Sequence, residues 1–159
     1  MKPNIIASVM LVAGLAGPAF AGCGNGPSTL SQTQLNTILA SNFACGQSSS
    51  LNAPGWNEKH VGASGGALVE QHGAGIADDE NVGSWATSTS GGVGRVTYSY
   101  GGVVPIYEVS VVANGNCGSS CTTLPQTYKF CGVGGGAPAT LDILVTAALP
   151  TLSGCPGNP

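Results

Sequence analysis

The sequence predicts a mainly β fold, with one N-terminal helix packed on a curved antiparallel sheet or small barrel and disulfides linking the parts. Three observations carry this expectation. Segments of alternating apolar and polar residues recur from residue 56 onward, glycine-rich turn signals separate them, and all six cysteines of the 159-residue chain lie at or after residue 23.

Residues 1–21 open with Lys2, continue as an apolar stretch from Ile5 to about Ala16, and end with small residues at Ala19 and Ala21. This is the layout of a secretory signal peptide, and Pro18 breaks it before it reaches the length of a stable membrane span. A single exported domain over 22–159 is therefore expected, secreted or periplasmic, with no transmembrane span in the mature chain. Phe20-Ala21-Gly22-Cys23 also fits a lipobox, with Phe where Leu is usual, and acylation there would anchor the protein through Cys23. Cysteine parity opposes that reading. Cys23, Cys45, Cys117, Cys121, Cys131 and Cys155 make an even set, and a lipid on Cys23 would strand one thiol.

Six cysteines allow 15 pairings. Cys117 and Cys121 enclose only Gly118-Ser119-Ser120 and are candidates for a tight loop. Of the remaining Cys23, Cys45, Cys131 and Cys155, two would tie the N-terminal segment to a strand and the C-terminal tail to the sheet. Export favours disulfides over a metal at Cys117-Gly-Ser-Ser-Cys121.

The segment from Ser31 to Asn42 carries Leu35, Ile38, Leu39 and Phe43 at helical spacing, with Ser28, Thr29 and Ser31 as candidate N-caps and Gln34 placed for a capping box with Ser31. Strands are expected at 56–61, 67–72, 82–88, 93–100, 104–112 and 127–131. The continuous apolar run from Leu141 to Leu149 reads as a strand because Ile143 and Val145 are β-branched. Gly91-Gly92, Gly101-Gly102 and Asn114-Gly115 supply turns between them.

Beyond residue 21 the chain has three basic residues, Lys59, Arg95 and Lys129, against seven acidic ones. A basic surface is absent, which excludes ordinary nucleic-acid binding and a polybasic membrane patch.

A hairpin across the Gly62–Gly66 loop would set residue 60 opposite 68, 58 opposite 70 and 56 opposite 72. Trp56, Glu58, His60, Leu68, Glu70 and His72 then share one face. Glu58, His60, Glu70 and His72 are donors suited to a divalent metal such as zinc, or to a carboxyl with a raised pKa. The simpler expectation is a solvated face of mixed charges, since Glu58 opposite Glu70 repels without a cation. Asp78, Asp79 and Glu80 form an acidic run that lacks the ligand spacing of a calcium loop. No serine elbow and no phosphate loop is present, and an even set of oxidised cysteines leaves no thiol nucleophile. No motif calls for a cofactor, and no catalytic residue is assigned.

Leu35 to Cys45, Trp56-Asn57-Glu58-Lys59-His60, Val82-Gly83-Ser84-Trp85, Val96 to Gly102, Tyr107-Glu108-Val109 and Tyr128-Lys129-Phe130-Cys131 follow one another in an order that resembles small exported bacterial proteins of unknown function. The resemblance covers about residues 30–132 and implies a helix plus an antiparallel sheet, with Cys45 paired to Cys131. It brings no activity with it. The chain departs from the pattern in the Cys117–Cys121 insertion and in a variable tail after Gly132. Gly83-Ser84-Trp85 also looks like the Gly-x-Trp of lipocalin-like barrels, here placed mid-sheet rather than in the first strand.

Two functions from different classes fit. One is a non-enzymatic binding domain for a small apolar ligand or a partner chain, with Trp56, Trp85, Tyr98, Tyr100 and Tyr107 as the aromatic lining. The other is a surface-assembly subunit that self-associates by strand addition through residues 141–149. A metal-dependent enzyme built on Glu58, His60, Glu70 and His72 is a third expectation.

Overall fold

A computed structural model describes residues 22–23, 28–46, 56–70, 80–112 and 121–149, with the backbone alone for Trp56. The expected signal peptide, His72, Asp78, Asp79, Cys117 and Cys155 lie outside the described residues.

One helix precedes eight strands: α1 (Gln32–Leu39), β1 (Phe43–Gly46), β2 (Trp56–His60), β3 (Gly65–Glu70), β4 (Glu80–Ser90), β5 (Val93–Ser99), β6 (Ile106–Val111), β7 (Gln126–Gly134) and β8 (Thr140–Thr146). Each strand pairs antiparallel with its sequence neighbours, and β8 returns to β1, so the sheet is a closed up-and-down barrel. Closure gives each described strand a hydrogen-bonded neighbour on both sides.

The helix begins where the capping signal places it. Ser31 is the N-cap: its hydroxyl accepts from the Gln34 amide, and its own amide donates to Gln34 Oε1 at 2.8 Å. It stops three residues short of Asn42 because Ser41 takes a positive φ of 62° and the Asn42 side chain donates to the Ile38 carbonyl at 2.9 Å. Phe43, expected on the helix face, instead starts β1, an unexpected strand.

Period-two alternation sorts the barrel into two faces. Leu68, Trp85, Val96, Tyr107, Val109, Tyr128, Phe130, Ile143 and Val145 point inward and are buried. Outward positions on β4 and β5 carry Ser84, Ser88, Arg95, Thr97 and Ser99. This apolar-in, polar-out sense is the reverse of a lipid-facing barrel. No helix among the described residues is long and apolar enough to cross a membrane.

Helix α1 closes one end. Residues 28–30 wedge between β5 and β6, with the Leu30 amide donating to the Val109 carbonyl and the Gly94 amide donating to the Leu30 carbonyl. The chain then turns inward, and Leu35, Ile38 and Leu39 are fully buried against the barrel core. Gly94 permits the approach: a Cβ there would sit 2.5 Å from the Ser31 carbonyl carbon. Gln32 Nε2 donates to the Thr87 carbonyl and Thr87 Oγ1 bonds Asn36 Oδ1, so the helix is fixed to β4 as well.

The cysteine framework corrects the pairing implied by the family resemblance. Cys131 is bonded to Cys23, not to Cys45, across a separation of 108 residues. The reason is positional: Cys131 faces outward beside Glu108, where the segment at Gly22 and Cys23 lies on the barrel wall. Cys45 and Cys121 are also disulfide-bonded, and no described cysteine is free. A sulfur committed to Cys131 is closed to the thioether of a lipobox cysteine. Peptide mapping of unreduced protein is expected to return a Cys23–Cys131 crosslinked pair. An acyl mass on Cys23 would refute it.

The expected strands are all present with shifted ends. The widest shift is at 141–149, where β8 ends at Thr146, and at 127–131, where β7 runs on to Gly134. The segment read as a variable tail thus contributes the strand that closes the barrel.

Candidate ligand cavity

The hairpin register holds as expected where it is described: Glu58 lies opposite Glu70 and His60 opposite Leu68. The surface reading of this face does not hold. Glu58 and His60 point into the barrel, 8% and 0% exposed, because their cross-strand neighbours on the same face are Leu68 and then, on β4, Gly83 and Trp85. Lys59 alternates to the outside, with Nζ 5.5 Å from the centre of the Phe43 ring.

At the end opposite α1, Glu58, Tyr100, Tyr107, Phe130, Leu141 and Ile143 line a cavity of about 260 Å³. Five segments supply these residues. The registers Val109–Phe130, Phe130–Leu141 and Tyr128–Ile143 carry the apolar wall round from β6 to β8, and Ala44 opposite Glu58 completes the circuit.

An aromatic cluster runs from the cavity wall into a packed layer beneath it. His60 meets Trp85 edge-on with centroids 5.1 Å apart, Tyr98 stacks on Tyr100 at 6.0 Å, and Tyr107 meets both Tyr98 and Phe130 edge-on. Buried in this layer, His60 Nδ1 has no hydrogen-bond partner among the described residues; the other ring nitrogens do. His60 Nε2 and the Tyr98 hydroxyl share a hydrogen bond of 3.0 Å, and Trp85 Nε1 donates to the Val61 carbonyl at 2.9 Å.

Glu58 is the carboxyl on the cavity wall. Tyr100 donates to its Oε2 at 2.9 Å. Burial pushes its pKa up from 4.5 to about 7; the Tyr100 hydrogen bond opposes the rise, and the nearby Glu70 carboxylate adds to it. Burial pushes His60 the other way, from 6.5 down to about 4, so its ring is neutral near pH 7. Burial first, and the proximity of Glu58 second, hold the Tyr98, Tyr100 and Tyr107 hydroxyls protonated.

The aromatic candidates separate into two groups. Tyr100 and Tyr107 line the cavity, whereas Trp85 and Tyr98 belong to the layer beneath it. The side chain of Trp56 is outside the described residues. Among the metal candidates, Glu58 and Glu70 are cross-strand neighbours and His60 is turned toward Tyr98; no group of three His, Cys, Asp or Glu among the described residues is arranged to hold a metal ion. Phe130, Leu141 and Ile143 are not among the lining residues expected from the sequence. Continuing the alternation from Tyr107 across β7 and β8 is the signal that identifies them.

No protein-family model, no curated protein and no solved structure matches this chain.

Proposed function

We propose that the protein is a non-enzymatic binding domain that takes a small, largely apolar ligand into the open end of its barrel. The observation that carries this reading is the cavity walled by Tyr100, Tyr107, Phe130, Leu141 and Ile143, in a barrel whose other end is filled by α1. Pockets of this kind are mostly apolar with few polar groups, and the mouth of a small barrel is a usual place for one. The strand-addition reading has less support, since β8 is hydrogen-bonded to β7 on one edge and β1 on the other.

Titration with a panel of small hydrophobic fluorophores is expected to saturate with at least one member. Leu141→Trp adds bulk at the cavity wall and is expected to weaken that binding by about tenfold or more while the barrel stays folded, since one added ring displaces a ligand of this size. A flat response of the native protein to every probe would overturn the reading.

A further inference from the structure

Glu58 is a carboxyl buried in an aromatic cavity, and no basic side chain among the described residues reaches it. Arg95 is paired with Glu108 at 3.0 Å and Lys129 with Asp142 at 3.1 Å, both on the outer face of the barrel. Lys59 lies over Phe43, also outside. His60, adjacent on the inner face, is neutral and bonded to Tyr98. Of the two carboxyl oxygens, Oε2 takes the Tyr100 hydroxyl, and that is the only protein donor to the Glu58 side chain among the described residues.

The register adds further negative charge at the same end. Glu58, Glu70 and Glu80 follow one another across β2, β3 and β4, with Glu80 exposed at the lip. The electron-rich faces of Tyr100, Tyr107 and Phe130 complete the surroundings. Buried carboxylate, aromatic walls and an acidic mouth all favour positive charge and disfavour an anion.

We propose that the ligand is a small organic ammonium ion, its apolar body held among Tyr107, Phe130, Leu141 and Ile143 and its charged nitrogen at Glu58 beside Tyr100. This rests on the binding reading above and names the ligand's chemistry. An apolar cavity of about 150 Å³ is enough for benzene, so about 260 Å³ accommodates one ring with a short amino chain. The ammonium supplies the donor that the second carboxyl oxygen lacks, and it relieves the cost of a buried charge without a counter-charge.

Isothermal titration of the disulfide-intact protein at pH 8 with phenethylamine, 2-phenylethanol and 3-phenylpropanoate tests this. The three differ chiefly in the charge of the terminal group. The amine is expected to bind about tenfold more tightly than the alcohol, as a charge-assisted hydrogen bond with cation–π contact predicts, and the carboxylate more weakly than either. In Glu58→Gln the ratio of amine to alcohol affinity is expected to fall to within about threefold. Equal binding of amine and alcohol by the native protein, or an amine preference that survives Glu58→Gln, would overturn the assignment of charge and leave the cavity's role intact. Binding of none of the three, together with a silent fluorophore panel, would overturn both. The native-protein comparison stands whether or not the variant folds.

Discussion

Glu58→Gln is expected to convert a nearly flat stability profile between pH 4.5 and 6.5 into one that climbs by about 2 kcal/mol with rising pH. The cause is two buried groups on one strand with opposite shifts. Glu58 is raised from 4.5 to about 7, so the folded protein keeps a proton that the unfolded chain releases; its contribution is full below pH 4.5 and is lost as pH rises through 7. His60 is lowered from 6.5 to about 4, so the folded protein refuses a proton that the unfolded chain binds. Its contribution is full above pH 6.5 and is lost as pH falls through 4. Over the shared window the two slopes cancel. Removing Glu58 exposes the His60 slope, and His60→Phe is expected to expose the reverse, a fall of about 3 kcal/mol from pH 4.5 to 7. Urea denaturation at half-unit pH intervals measures both. Profiles for Glu58→Gln and native protein that run parallel across the window would refute the buried, uncompensated state of Glu58.

Leu35→Ala and Leu39→Ala are each expected to cost about 2–5 kcal/mol, the range for emptying a fully buried leucine site. Helix α1 has eight residues, too few to persist alone in water. Its stability comes from the leucines it buries at the barrel end, and the barrel's core at that end is completed by the same side chains. Thr37→Ala is the control, on the exposed face with its hydroxyl bonded back to the Thr33 carbonyl at 3.0 Å. It is expected to change stability by no more than about 0.5 kcal/mol. Leucine truncations that matched the threonine control in a urea titration would mean that the helix is an appendage rather than the floor of the barrel.

The sequence made some of this legible and hid the rest for definite reasons. The Ser31–Gln34 capping box marked the helix start because both partners are local. The 58–70 and 60–68 register followed from a short glycine loop flanked by alternating residues. Which face of β2 turns inward was not readable from β2 itself, since Asn57 and Lys59 on one side are as polar as Glu58 and His60 on the other. That choice is made by the neighbouring strands, where Leu68 and Trp85 have to be buried. β1 is not legible locally, because four residues directly after a helix, beginning with a phenylalanine at helical spacing, read as one more helical turn. The cavity wall depended on the pairing of β6, β7 and β8, which local periodicity does not contain. A disulfide from the N-terminal segment to a strand is an expectation the cysteine count carries; that it joins Cys23 to Cys131 depends on where the chain passes over the outside of the barrel.

The return of β8 to β1 has a consequence for the order in which the protein takes shape. Phe43, Ala44 and Cys45 find their second set of backbone partners in Leu144, Val145 and Thr146, some hundred residues later. Cys23 likewise waits for Cys131. The cylinder cannot be completed until Thr146 is available, nor its covalent tie until Cys131 is. The early strands therefore spend that interval with an open edge, and contacts this distant in sequence make for slow folding.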